Sequence, residues 1–109
     1  MSEPQTVICT FRVKSDAMTA FRDLLDRHWP TLRNLELVTE TPEQLFLSDA
    51  DGDPTVVSIF EWANDDAVGQ AHHHPDVAEI WEAMDPLCEQ RDGRSAMEFP
   101  HFQPMSLAR

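Results

Sequence analysis

The sequence predicts an α+β domain, a ferredoxin-like βαββαβ sandwich whose antiparallel sheet carries its helices on one face. Three observations predict it. Over residues 6–14, Val7, Cys9, Phe11 and Val13 alternate with Ile8, Thr10 and Arg12, the period of a strand with one strongly apolar face. Met18, Phe21, Leu25, His28 and Leu32 then recur at spacings of three and four, the period of an amphipathic helix widened by Leu24. Finally, Thr55–Trp62 is apolar on both sides, with Val57 and Ile59 on one and Val56, Phe60 and Trp62 on the other.

Taken in order, the first residues (1–5) read as a loose polar leader. Ser15 is placed to cap the first helix, with Asp16 favoured at its positive end. Pro30 removes a backbone donor and is expected to end or kink that helix near Trp29, the alternative being a short continuation over residues 31–34 with Asn34 near its end. A second strand is expected over residues 35–40, interrupted at Thr41-Pro42-Glu43 and resumed over 45–48. Residues 49–54 form an acidic turn. Its spacing fails the calcium-loop pattern, so a solvated turn is expected there. After the strand Thr55–Trp62, Asn64 caps a short helix carrying Val68, Ala71 and His72. Pro75 breaks it and suits the first position of the next helix. Val77, Ile80, Trp81, Met84 and Leu87 or Cys88 make the buried stripe of that helix. Asp85-Pro86 suggests a restart and residues 90–94 a turn. The last strand covers 97–102, with Pro100 confining it to an edge.

At 109 residues the chain is read as one domain, and its hydrophobic share of 41% suits a globular fold. Eight basic residues stand against 20 acidic ones, a formal charge of −12, so phosphate backbones and anionic lipid surfaces are repelled. Nucleic-acid and membrane roles are therefore not expected. No apolar run approaches the roughly 18 residues of a membrane span, and no signal peptide is visible. Cys9 and Cys88 match no paired-cysteine spacing and read as reduced, buried thiols of a cytoplasmic protein. A helix layer covers only one face of a sheet in so small a chain, so the doubly apolar strand Thr55–Trp62 requires a second sheet. The expected partner is therefore a second copy, packed sheet against sheet.

The element order, together with the run Phe60-Glu61-Trp62-Ala63-Asn64-Asp65-Asp66-Ala67-Val68, resembles the antibiotic-biosynthesis-monooxygenase-type dimeric α/β-barrel family. His72-His73-His74 before Pro75 and Phe11-Arg12-Val13-Lys14 before the first helix strengthen the resemblance, which spans nearly the whole chain. It implies a dimer whose sheets form a barrel, and a hydrophobic pocket in each subunit between sheet and helices. Activities within the family diverge: cofactor-free oxidation of phenols, quinol oxidation, heme degradation, isomerisation, and no known activity. The heme-degrading pattern fails here, because its strand-one Asn, its Trp and its ligating His align with Cys9, Ala71 and a residue near Glu82.

In such a pocket His28, on the apolar stripe of helix one, reads either as a packed core histidine or as a general base. Three consecutive helical histidines point about 100° apart and cannot converge on one ion, so no metal is expected; with no Gly-rich phosphate loop, and from the resemblance to cofactor-free oxygenases, no cofactor is expected either. His72 is the best inward candidate of the three. Glu61, a carboxylate in an apolar strand, must be paired or protonated if buried, and its alternative is an acid/base role. Arg33 is either a surface ion pair or an oxyanion stabiliser. Trp29, Trp62 and Trp81 read as core or interface fillers or as walls for a planar ligand, joined by Phe11 and Met84, and His101, sharing a strand face with Met97 and Phe99, enters either the pocket or the dimer contact. The expectation is a cofactor-independent monooxygenase acting on a small apolar or aromatic compound. The alternative is a dimeric barrel that binds a small hydrophobic ligand or serves in stress response without catalysis.

Overall fold

A computed structural model describes residues 3–49 and 52–107. Strand β1 (Gln5–Arg12) leads to helix α1 (Met18–Asn34), then to β2 (Gln44–Ser48) and β3 (Thr55–Trp62). Two short helices follow, α2 (Ala67–His72) and α3 (Pro75–Met84), then a 3-10 turn over Asp85–Leu87. Two short strand segments close the order, β4 (Met97–Glu98) and β5 (His101–Phe102). The sheet runs β2-β3-β1, with β4 and β5 both on the far side of β1, and every pairing is antiparallel. This is the expected α+β, ferredoxin-like architecture, with the helices on one face.

The β1–β3 register sets Val7 opposite Phe60, Cys9 opposite Ser58 and Phe11 opposite Val56, all on the helix-covered face. Phe21 of α1 packs its ring 5.0 Å from that of Phe11, and Leu25, His28 and Leu32 continue the contact along the helix. Val77, Ile80 and Met84 bury the matching stripe of α3. The opposite face carries Ile8, Thr10, Val57 and Ile59, none of them covered by a helix and all of them partly exposed.

Several local expectations are corrected. Gln5, expected in a loose leader, already pairs with Trp62. Helix α1 begins after Ala17 without a side-chain cap, so Ser15 and Asp16 belong to a turn instead. Of the two outcomes expected at Pro30 the continuation is the one observed, the helix running on to Asn34. The backbone acceptor that the proline leaves free belongs to Asp26, exposed like Pro30 on the solvent side, where hydration replaces the lost bond. The strand expected over residues 35–40 reduces to a single bridge from Val38 to Trp62. There the chain leaves α1 through a left-handed Glu36 (φ 60°). Glu36 N–H donates to Arg33 O at 3.0 Å and Leu37 N–H to Leu32 O at 3.0 Å, with both leucines buried. That is a Schellman stop, and it spends on capping the residues that would have begun a strand.

Asn64 does not cap α2 directly. Its side chain accepts from the Asp66 N–H at 2.9 Å, and the helix starts at Ala67. The acidic turn expected at 49–54 includes Ala50 and Asp51, which lie outside the described residues. Pro100 does sit at an edge, between β4 and β5, and its carbonyl accepts from the Ile8 N–H at 3.1 Å. Among the described residues no helix is long and apolar enough to cross a membrane.

Candidate functional site

Between the sheet and the helices lies a cavity of about 150 Å³ with almost wholly apolar walls. Val7, Cys9 and Phe11 reach it from β1, because odd-numbered positions of that strand face the helices. Phe60 and Trp62 reach it from β3 for the same reason of register. Met97, Phe99 and His101 line its edge, opposite or beside those β1 positions. The helices contribute His28 from α1, Val68 and His72 from α2, and Trp81 and Met84 from α3.

Its polar feature is a bond between two helices. The Trp81 indole N–H donates to His28 Nε2 at 2.8 Å. Burial lowers the His28 pKa from 6.5 to about 4, so the ring is neutral near pH 7. A neutral imidazole has one acceptor nitrogen and one N–H. With Nε2 accepting, the proton sits on Nδ1, and that buried Nδ1–H has no hydrogen-bond partner among the described residues. This tautomer is at odds with the general-base role expected of His28: its lone pair is occupied, and its other nitrogen already carries a proton. The Trp62 indole N–H is likewise buried without a partner.

At the mouth, the His72 ring is solvent-exposed and stacks edge-on against Trp81, with centroids 4.8 Å apart. His101 is exposed and places Nδ1 3.3 Å from the Gln5 amide oxygen. Burial, aided by nearby Glu43, pushes the Cys9 thiol up to about 12, so it is a protonated wall and not a nucleophile. Beside Cys9, the fully buried Ser58 hydroxyl donates to Glu43 at 2.5 Å. Burial raises the Glu43 pKa against the lowering effect of that bond.

The cavity thus gathers His28, His72, Trp62, Trp81, Phe11, Met84 and His101 from the residues singled out in the sequence. It does not gather the others. Glu61 points to the uncovered face, where its carboxylate accepts from the Thr39 hydroxyl at 2.8 Å. Arg33 lies outside the cavity and pairs with Glu40 at 3.5 Å. Trp29 packs at the core margin, away from the cavity. His73 and His74 serve locally: His73 Nδ1 lies 2.8 Å from Gly69 O, and His74 Nδ1 accepts from the Asp76 N–H at 3.2 Å, capping α3. Among the described residues no cluster of three His, Cys, Asp or Glu side chains could hold a metal ion. Missed in the sequence were Cys9 as a wall and the Trp81–His28 bond. Only the shared inward faces of the two helices could have hinted at that bond.

The sheet order and the helix layer match the fold of antibiotic-biosynthesis-monooxygenase-type proteins. Three of the solved structures that carry this likeness illustrate it. Rv0793 from Mycobacterium tuberculosis is 21% identical, with a TM-score of 0.74 over 98% of this chain and all of that one. SnoaB from Streptomyces nogalater, a cofactor-independent oxygenase, is 20% identical, with a TM-score of 0.71 over 97% of each chain. A structure described as an antibiotic biosynthesis monooxygenase is 16% identical, with a TM-score of 0.74 over 94% of this chain and 99% of that one. At these identities the likeness is one of fold. No protein-family model and no curated protein sequence matches the chain.

Proposed function

We propose that the chain is an antibiotic-biosynthesis-monooxygenase-type enzyme that oxidises a small apolar aromatic compound in this cavity without a cofactor. The observation that carries the proposal is the cavity itself: apolar walls with aromatic rings for a planar ligand, and imidazoles at its mouth and on its inner wall. The fold shared with a cofactor-independent oxygenase supports it.

In the proposed reaction a phenol and dioxygen give a quinone and water. His72 takes the phenolic proton and passes it to solvent, which it reaches directly. The phenolate supplies the electrons that reduce dioxygen. One oxygen atom stays as the new ring carbonyl, and the other leaves as water with the displaced ring hydrogen and the returned proton. Trp62 and Trp81 flank the ring, and His28 acts as a donor, its base role passing to His72. Oxygen uptake across a panel of phenols and quinols tests this. His72→Ala is expected to lower turnover about 100-fold or more while ligand affinity changes little, within the range typical of a lost general base. Unchanged rates across the panel would remove the proposal.

A second reading, a barrel that binds a small apolar ligand without converting it, draws support from the occupied lone pair of His28. It predicts binding with no oxygen uptake at all. In either reading we place a second copy against the uncovered face of the sheet. Phe46 of β2, 54% exposed, joins Val57 and Ile59 there.

A further inference from the structure

Among the described residues, the large apolar side chains left exposed fall in two segments, apart from Phe99 at the cavity edge. Leu45, Phe46 and Leu47 form one, in β2, and Phe102, Met105 and Leu107 form the other, toward the end of the chain. The two segments lie at opposite edges of the sheet, β2 outside β3 and β5 outside β1. Register decides which way each side chain of β2 faces. Leu45 pairs with Ser58 and Leu47 with Val56, both buried on the helix side, whereas Phe46 pairs with Val57 on the uncovered face. Yet Leu45 and Leu47 are 51% and 55% exposed, so the helix layer stops short of β2. Sheet-to-sheet packing of two copies covers Phe46 but leaves both leucines in water, on an edge strand with a row of unpaired backbone groups.

The chain end has matching features. Residues 103–107 belong to no helix or strand and are exposed throughout. Pro104 fixes its own φ and keeps Gln103 out of the helical region, which favours an extended path. Met105 and Leu107 are two apart and so share one side of an extended segment, as Leu45 and Leu47 do. Neither 44–48 nor 99–107 contains an Asp or Glu, in a chain that carries 20, so the two segments can meet without charge repulsion.

We propose that in the dimer the tail of each copy crosses its partner's β2 edge and covers the helix-side Leu45 and Leu47 with Met105 and Leu107. The inference rests on the sheet-to-sheet packing proposed above and adds where the chain end goes. Phe102 pairs with Thr6, on the same face as Ile8, and so points into that packing. A two-fold axis parallel to the strands exchanges the edges of the two sheets and sets Phe102 over Phe46 of the partner subunit. Stacked sheets lie about 10 Å apart and five extended residues span about 17 Å, enough to pass the partner's edge strand and reach its far face. The chain's own β2 is the remoter target, because β1 and β3 lie between. Symmetry gives each tail one β2, so the exchange closes with two copies.

The test is Leu45→Cys combined with Leu107→Cys, oxidised and run without reductant beside each single variant and wild type. Cys9 and Cys88 are buried, so the introduced thiols are the accessible ones. A disulfide forms only where two Cα atoms come within about 7 Å. The expected product is a covalent dimer in the double variant alone, with peptide mapping joining positions 45 and 107. Met105→Ser with Leu107→Ser, both at exposed positions, should weaken self-association about tenfold or more at unchanged helical circular dichroism. Four results would each overturn the exchange and leave the sheet-to-sheet dimer standing. They are a 45–107 bridge within one chain, a dimer joined through 45–45 or 107–107, no bridge in a protein that sediments as a dimer, and self-association unchanged by the serine pair. Wild type sedimenting as a monomer would overturn both.

Discussion

Between about pH 7.5 and about pH 5, the protein is expected to lose about 2 kcal/mol of stability that a His28→Gln variant does not lose. The sign follows from burial. His28 has a folded pKa of about 4 against 6.5 for the free side chain. Below pH 6.5 the unfolded chain binds a proton at His28, while the folded chain does not until about pH 4. Stability therefore falls with pH through that window and levels off beneath it, with about 3 kcal/mol lost in full. Glu43 shifts in the opposite sense, since a raised carboxyl pKa makes the folded state the better proton binder on acidification. It is present in both proteins and cancels in the difference. Urea unfolding midpoints at a series of pH values give the two curves. Parallel curves would show that His28 is neither as buried nor as neutral as described.

Ile59→Asp is expected to convert a dimer into a folded monomer and to weaken self-association by at least 100-fold. Ile59 stands opposite Ile8 on the uncovered face of the sheet, with Val57 and Phe46 nearby. In the proposed sheet-to-sheet packing each copy would bury its own carboxylate against the other's apolar surface, an arrangement with a large desolvation cost and no counter-charge. The helix-side core, anchored by Phe11, Phe21 and Leu32, is untouched, so the helical circular dichroism should be preserved. Sedimentation velocity separates the outcomes. An unchanged sedimentation coefficient would remove the outer face as the contact.

Much of the fold was legible because its signals are local and periodic. The alternation at Val7, Cys9 and Phe11 set the inward face of β1, and the stripe from Phe21 to Leu32 set that of α1. Less was legible where two local rules competed. A proline inside a helix is a stop signal, but Pro30 falls on the solvent side and costs little. The apolar run beginning at Leu35 looked like a strand, yet the helix end claims Glu36 and Leu37 for its cap. Long-range polar contacts were invisible. Arg91 seemed a turn residue, but it donates to Pro54 O at 2.9 Å, to Thr55 Oγ1 and to the O of Val13, 78 positions away, tying the end of β1 to the start of β3.

The site shows the same division. Strand parity set Trp62 beside Phe60 and left His101 between the pocket and the dimer contact, while helical phase predicted that His28, Trp81 and Met84 face inward; the cavity takes in all five. Parity also separates Glu61 from Trp62, since neighbours on a strand point to opposite faces. The chemical state of His28 lay beyond any such rule. It depends on Trp81, 53 positions away on a different helix.

The most direct measurement of the central claim is oxygen uptake with the cavity open and with it filled. Val68 lines the cavity from α2 and is only partly buried, so Val68→Trp can fill the space at small cost to the fold. Wild type is predicted to consume one dioxygen for each phenol converted, and the filled variant to consume none while keeping its unfolding free energy within about 1 kcal/mol of wild type. Equal uptake by both proteins would place the chemistry outside the cavity and contradict the account.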